Sequence, residues 1–428
     1  MKKAFLIFFC LLLVSAASAQ DSGLPQLPGK IAYVGTDFNI YTLDSTSHER
    51  AVITSDAERL ADRVRFYQWP TWSRDGRLSY FQTETDGRTF QEVRAFVSPD
   101  GVTAGEEVYM TGERSFTYAF WSPQNCPAAA NCRDLAILMG GPTGFVVERV
   151  RNGSDPSSSE TIGTAPGQFY FSWSPDGSRM LWQRSGRTLD IYNAVEDEVV
   201  ETLTQAPGRF SAPMWSPVDD RLLFGARSED GATTDIVIVS PDGTSKPLVS
   251  GLTGQAAFAW SPDGNAVAYT ENQGTMLVVD AVSGEQISRS AATGVLAFFW
   301  SPDSRHIAYV TLANEPGSIT ASDVKTDLAK MAAQGQELPG LSWSVLDVET
   351  RLAWRSGSFM PTRDMIYLLS FFDQFAQSHR VWSPDSRHIV YSEMTAENRP
   401  VISIIDTTQQ VPVPLSVADG FIGVWSFE

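Results

Sequence analysis

The stretch Trp300–Val310, "WSPDSRHIAYV", returns eighty-two residues later at Trp382–Ser392 as "WSPDSRHIVYS". A unit repeated with that fidelity is a structural module, and its letters say which. Ser, Pro, Asp and Gly or Ser in succession favour a tight turn: Pro presets φ, Asp bonds the nearby backbone, and Gly accepts φ > 0. Apolar stretches such as "LAFFW" precede the turn. Alternating segments such as "HIAYV" follow it, the pattern of half-buried strands. The unit reads as strand, turn, strand, with the Trp closing the first strand.

The same unit stands at Trp72 ("WSRDGRLSY"), Trp121 ("WSPQN"), Trp173 ("WSPDGSRMLW"), Trp215 ("WSPVDDRLLF"), Trp260 ("WSPDGNAVAY"), Trp300, Trp382 and, cut short, Trp425 ("WSFE"). Apart from the doubled interval after Trp300, the spacings run from 40 to 52 residues. That period fits four short strands with turns, one blade of a β-propeller. The eight Trp are read as structural, because a large flat ring fills the space between neighbouring blades. The doubled interval holds only one blade's worth of strands, with surplus sequence between residues 312 and 340. There "SDVKTDLAKMAAQG" puts Val324, Leu328 and Met331 on one helical face with Gly335 as a stop. An inserted helix over 322–334 is expected, not a further blade.

The chain ends fix the count. "IAYV" at Ile31–Val34 repeats the second-strand letters of Ile307–Val310, while "GFIGVWSFE" at the carboxyl terminus is a first strand with nothing after it. The two ends are expected to complete one blade together, which removes the exposed sheet edges of an open ring. The expectation is an all-β chain: one eight-bladed propeller over 30–428, seven blades being the alternative, after a leader at 1–19 and a linker at 20–29.

That leader, "MKKAFLIFFCLLLVSAASA", has a basic start, an apolar run and small residues before Gln20, as a secretory signal does. Its apolar run is well short of the ~20 residues of a spanning helix. Removing Lys2 and Lys3 with it leaves 30 basic side chains against 50 acidic ones, a formal charge of −20. Nucleic acid and anionic lipid are therefore poor partners. Cys10 goes with the leader. Cys126 and Cys132 remain, in "NCPAAANC", and in an oxidising compartment they are expected to form a disulfide closing the enlarged turn of their blade. A periplasmic or extracellular monomer with no membrane span is expected.

The "WSPDG(S/R)xIAY" units resemble the TolB-type, WD-like propeller repeats of bacterial exported proteins, over residues 30 to 428. The resemblance does not extend to TolB as a whole, whose amino-terminal domain would find no room before Lys30. Members of the repeat family typically serve as protein-interaction platforms in the envelope, and some form the propeller half of serine peptidases. The peptidase needs a GxSxG elbow and an α/β-hydrolase domain, and the sequence shows neither. Sialidase Asp-boxes need Asp-x-Gly, whereas Asp176 and Gly177 are adjacent. His306 and His388 share one repeat position, His48 lies in a polar loop, and His379 alone makes no imidazole metal site.

The expected function is a non-catalytic platform for a protein, peptide or envelope component, with no catalytic residue, cofactor or metal assigned. The alternative is a lyase or glycoside hydrolase using channel carboxylates or an oxygen-ligated metal. The expected site lies on the face opposite the turns, at a concave mouth. Phe371, Phe372, Asp373, Gln374 and Phe375 stand there, with His379 and Arg380 entering the channel strand. Aromatics around a few polar groups suit recognition. A scaffold reading stands beside it: the three Phe dock the inserted helix, and Asp373 pairs with Arg380.

Overall fold

The computed structural model describes residues 26–59, 61–124, 133–153, 159–208, 212–229, 231–254, 256–271, 274–313 and 321–428, the side chains of 321–325 excepted. The leader, Cys126 and Cys132 lie outside the described residues. Among the described residues eight antiparallel blades stand around one channel, built on four strands each, with the strand that ends in the repeat Trp toward the channel. Blade 2 carries one extra two-residue strand, Glu58–Arg59. We number them from the blade that joins the two ends of the chain. Blade 4 is the plainest, pairing Phe169–Trp173, Arg179–Arg184, Thr188–Asn193 and Glu198–Thr202 in order. Its innermost strand is buried throughout and its outermost exposed throughout, so apolar character falls away from the channel.

The ring closes through one long strand, Leu415–Trp425. Leu415 to Asp419 pair with the third strand of blade 8, as its outer strand. From Gly420 onward the same strand pairs with Lys30–Gly35, ending with Trp425 opposite Ile31, as the inner strand of blade 1. A Cβ at Gly420 would lie 2.5 Å from the Val34 carbonyl oxygen, so the crossing requires glycine.

Each letter of the repeat has a visible task. The Ser after the Trp donates to the Asp two residues on, at 2.5 Å for Ser261 and Asp263. The same hydroxyl accepts the backbone N–H that starts the next strand, at 2.9 Å for Arg179, Ala266 and His306. Gly177 and Gly264 take φ of +71° and +70° at the turn tip. Ser304 and Ser386 hold the same conformation at +62°, which costs a side chain some strain. Their hydroxyls accept the N–H groups of Asp263 and Asp303 from the preceding blade, both at 3.0 Å, and this tie offsets the strain.

The Trp residues join blade to blade. The indole N–H groups of Trp173, Trp300 and Trp382 donate to the carbonyls of Phe120, Ala259 and Phe299, the residues before the preceding blade's Trp, at 3.2, 3.3 and 2.9 Å. Arg77, Arg179 and Arg221 each stack over the next blade's Trp, at 4.8 Å from the ring centre. Trp72, Trp121, Trp173, Trp215, Trp260, Trp382 and Trp425 are buried and Trp300 is half-buried.

Blade 7 carries the helical insertion, α1 (Ala321–Gln334), between its second and third strands, and Gly335 ends it at φ +70°. Two further helices, α2 (Arg363–Ser370) and α3 (Phe372–Phe375), lie in the segment that leads into Trp382. Thr362 caps α2, whose Met365, Ile366, Leu368 and Leu369 are buried at helical spacing, and α1 packs on it. Among the described residues no helix is long and apolar enough to cross a membrane.

Candidate functional site

Blade 8 has an interrupted inner strand. Met360 and Pro361, at the end of blade 7's outer strand (Ala353–Pro361), pair with Met394 and Glu393 at one end of its second strand. Trp382 bridges to Ile389 near the other end. Residues 362–379 leave the sheet in between. A chain that departs midway along an inner strand faces the channel, so the excursion becomes a plug and not a surface loop. Thr362 fixes the departure point: its hydroxyl donates to the Phe421 carbonyl at 2.6 Å and accepts the Met365 N–H at 3.1 Å.

The residues expected at an open mouth are spread through this plug and reach most of the ring. Phe372 packs on Phe298 of blade 7, with ring centres 4.8 Å apart. Phe375 meets Trp69 of blade 2 at 4.9 Å and Tyr118 of blade 3 at 5.2 Å. The Gln374 amide donates to the Phe171 carbonyl at 2.9 Å and accepts the Phe171 N–H at 3.3 Å, continuing blade 4's inner strand like a sheet partner. Asp373 accepts the Ala212 N–H at 2.9 Å, where the chain enters blade 5; its carboxylate is engaged there and not with Arg380. Phe371 is half-buried beside Tyr367. His379 lies between Thr71 Oγ1 at 3.1 Å and Ser378 Oγ at 2.7 Å, and burial pushes its pKa down to about 3, so it is neutral near pH 7. Burial also raises the Tyr118 phenol, which donates to the Gln374 carbonyl at 3.0 Å. Phe372 to Phe375 and His379 are buried, so the aromatic cluster fills the channel.

The opposite end of the channel is open. A cavity of about 210 Å³ lies between the underside of the plug, from Ala376 to Val381, and the WSPDG turns. Pro123, Pro175, Pro217, Pro262 and Pro302 line its rim, with Trp173, Trp215, Trp260 and Trp300 beside them. Two turns break the proline series: Arg74 stands in that position in blade 2 and Phe427 in blade 1. Arg74 lies over the Phe427 ring at 5.7 Å and Arg380 over it at 4.7 Å, while Arg380 Nη1 donates to the Phe427 carbonyl at 3.1 Å. Burial, then the like charge of Arg74, lowers the Arg380 pKa to about 10. Arg74 is open to solvent on one side, yet enough protein surrounds it that lost hydration lowers its pKa as well.

The cavity is lined by no Asp or Glu among the described residues. Among the described residues no three His, Cys, Asp or Glu side chains gather as a metal site would need. Arg380 had been singled out in the sequence, but Arg74 and Phe427 had not. Their signal was present in "WSRDG" and "WSFE", the two units in which the residue after Trp-Ser is Arg or Phe in place of Pro.

No family model matches the chain, and no curated protein does. Among solved structures it is similar to a eukaryotic initiation factor, with a TM-score of 0.52 at 10% identity over 93% of this chain and 98% of that one. It is also similar to hydrazine synthase of Kuenenia stuttgartiensis (TM-score 0.37, 14% identity, 58% of this chain and 64% of that one). A protein described as TolB from Agrobacterium tumefaciens is a third (TM-score 0.35, 16% identity, 63% and 88%). The first likeness bears on the fold alone, and the other two are too distant to carry an argument.

Proposed function

We propose that this chain is an exported, non-catalytic propeller that binds a protein or peptide of the cell envelope at the open end of its channel, on the face of the WSPDG turns. The observation that supports this most is the one-sided channel: the plug leaves a blind, largely apolar socket facing a single direction, as recognition of a protruding group requires. The surrounding face adds to it. Val102, Val195, Val282, Leu352 and Val411, at loops between third and fourth strands, are 48% to 78% exposed. Those loops share the face of the turns, because strands alternate in direction within each blade. Export rests on the leader at 1–19. The acidic balance of the mature chain argues against polyanionic partners.

A photo-crosslinking residue placed in turn at Val218 and Val282, and at Phe38 and Phe90 on the other face, tests the reading in cells that export the protein. Discrete protein adducts are expected from the first pair and none from the second. Adducts from the second pair alone would move the binding face, and mature protein retaining residues 1–19 would remove the export step.

A further inference from the structure

We propose that the socket takes the carboxylate end of an apolar ligand, Arg74 and Arg380 holding the carboxylate and the proline and tryptophan wall holding the apolar body. This rests on the binding reading above and adds the chemistry of what is bound. In a chain of formal charge −18, the cavity carries two guanidinium groups and, among the described residues, no acid. Among the described residues neither Arg74 nor Arg380 forms an ion pair, whereas Arg77 and Arg179 at nearby turns reach Asp75 and Asp220 at 3.1 and 2.7 Å. Both cations sit over one ring, Phe427, and the charge of Arg74 makes the charged state of Arg380 harder to hold. An anion placed between them removes that repulsion.

The forked geometry of guanidinium matches a carboxylate, and Arg380 spends one N–H on the Phe427 carbonyl, leaving donors for a ligand. The surrounding acidic protein opposes a dianion, so a monocarboxylate suits the site better than a phosphate monoester. Away from the two arginines Ser172, Ser216, Gln377 and His379 also line the cavity, but most of the wall is apolar, and the half-buried Pro175, Pro217 and Pro262 offer surface to an aliphatic or aromatic body. Two sources present this chemistry, a peptide's carboxyl terminus and a free N-acyl amino acid.

Calorimetric titration of the full mature protein with three probes tests the proposal: a short peptide ending in Leu-Phe with a free carboxylate, the same peptide as its carboxyl-terminal amide, and N-acetyl-phenylalanine. The free acid is expected to bind at least about tenfold more tightly than the amide, as charge-assisted hydrogen bonds would give. Arg74→Ala is expected to remove that preference, and Arg74→Lys to restore only part of it. Arg380→Gln, checked for an unchanged unfolding midpoint, should act as Arg74→Ala does. Peptide binding much tighter than that of N-acetyl-phenylalanine assigns the site to chain termini, and equal binding assigns it to small carboxylic acids. Equal affinity for acid and amide, wild-type binding by Arg74→Ala, or no binding of any probe overturns the proposal. If that happens while crosslinks still form on the turn face, the ligand chemistry falls and the binding face stands.

Discussion

The two ends of the channel are built from the same strands and have opposite characters. At one end residues 372–379 fill the ring, and Gln374, Asp373 and His379 give their polar atoms to the inner strands of blades 4 and 2 and to the entry of blade 5. At the other end the same excursion presents its underside to a cavity with two arginines that form no ion pair among the described residues. One insertion therefore closes one end and furnishes the floor of the other. A buried polar group is costly unless bonded, so the plug bonds inward, whereas a recognition surface keeps donors to spare.

The sharpest way to break this contrast is Phe375→Ala. The ring packs on Trp69, Tyr118 and His379 in the middle of the plug, so truncation is expected to cost about 3–5 kcal/mol. Denaturant unfolding of the purified protein measures it, and a loss below about 1 kcal/mol would mean that the channel does not depend on its plug.

Acid should act on the same end. His379 has a native pKa of about 3 against an ordinary 6.5, so it is neutral in the fold and gains a proton on unfolding. Its contribution is present above pH 6.5 and is lost as pH falls from 6.5 through 3, by about 2 kcal/mol between pH 7 and pH 5. Stability curves of the wild type and His379→Gln are expected to converge over that interval. Parallel curves would show that His379 titrates normally and lies outside the packed plug.

Cys126→Ser tests an expectation from sequence alone, a disulfide across the short loop 126–132, which lies outside the described residues. A loop of that size predicts a loss of about 2 kcal/mol or less. Denaturing alkylation of exported protein is expected to find no free thiol, and two alkylated thiols would end the disulfide reading. The smallest effect belongs to Arg74→Ala, which is expected to change folding stability by less than about 0.5 kcal/mol, since its position at the rim is open to solvent. A loss comparable to that of Phe375→Ala would make Arg74 part of the scaffold and erase the difference between the two ends.

Eight Trp-Ser units, their spacing and the matching letters at Ile31–Val34 and Ile307–Val310 were enough to read eight blades and a ring closed by both ends. These features are local: a turn needs Pro, Asp and Gly at consecutive positions, and a strand shows its alternation within a few residues. The helix at 321–334 was legible for the same reason. What sequence order concealed was the place of "FFDQFAQSHR". Its apolar content suits a surface groove and a channel plug equally well, and only the pairing of Met360 with Met394 and of Trp382 with Ile389 shows that it departs from within an inner strand. The meeting of Arg74, Arg380 and Phe427 was hidden too. They lie more than three hundred residues apart at the extremes, and ring closure alone brings the first and last turns side by side around one cavity.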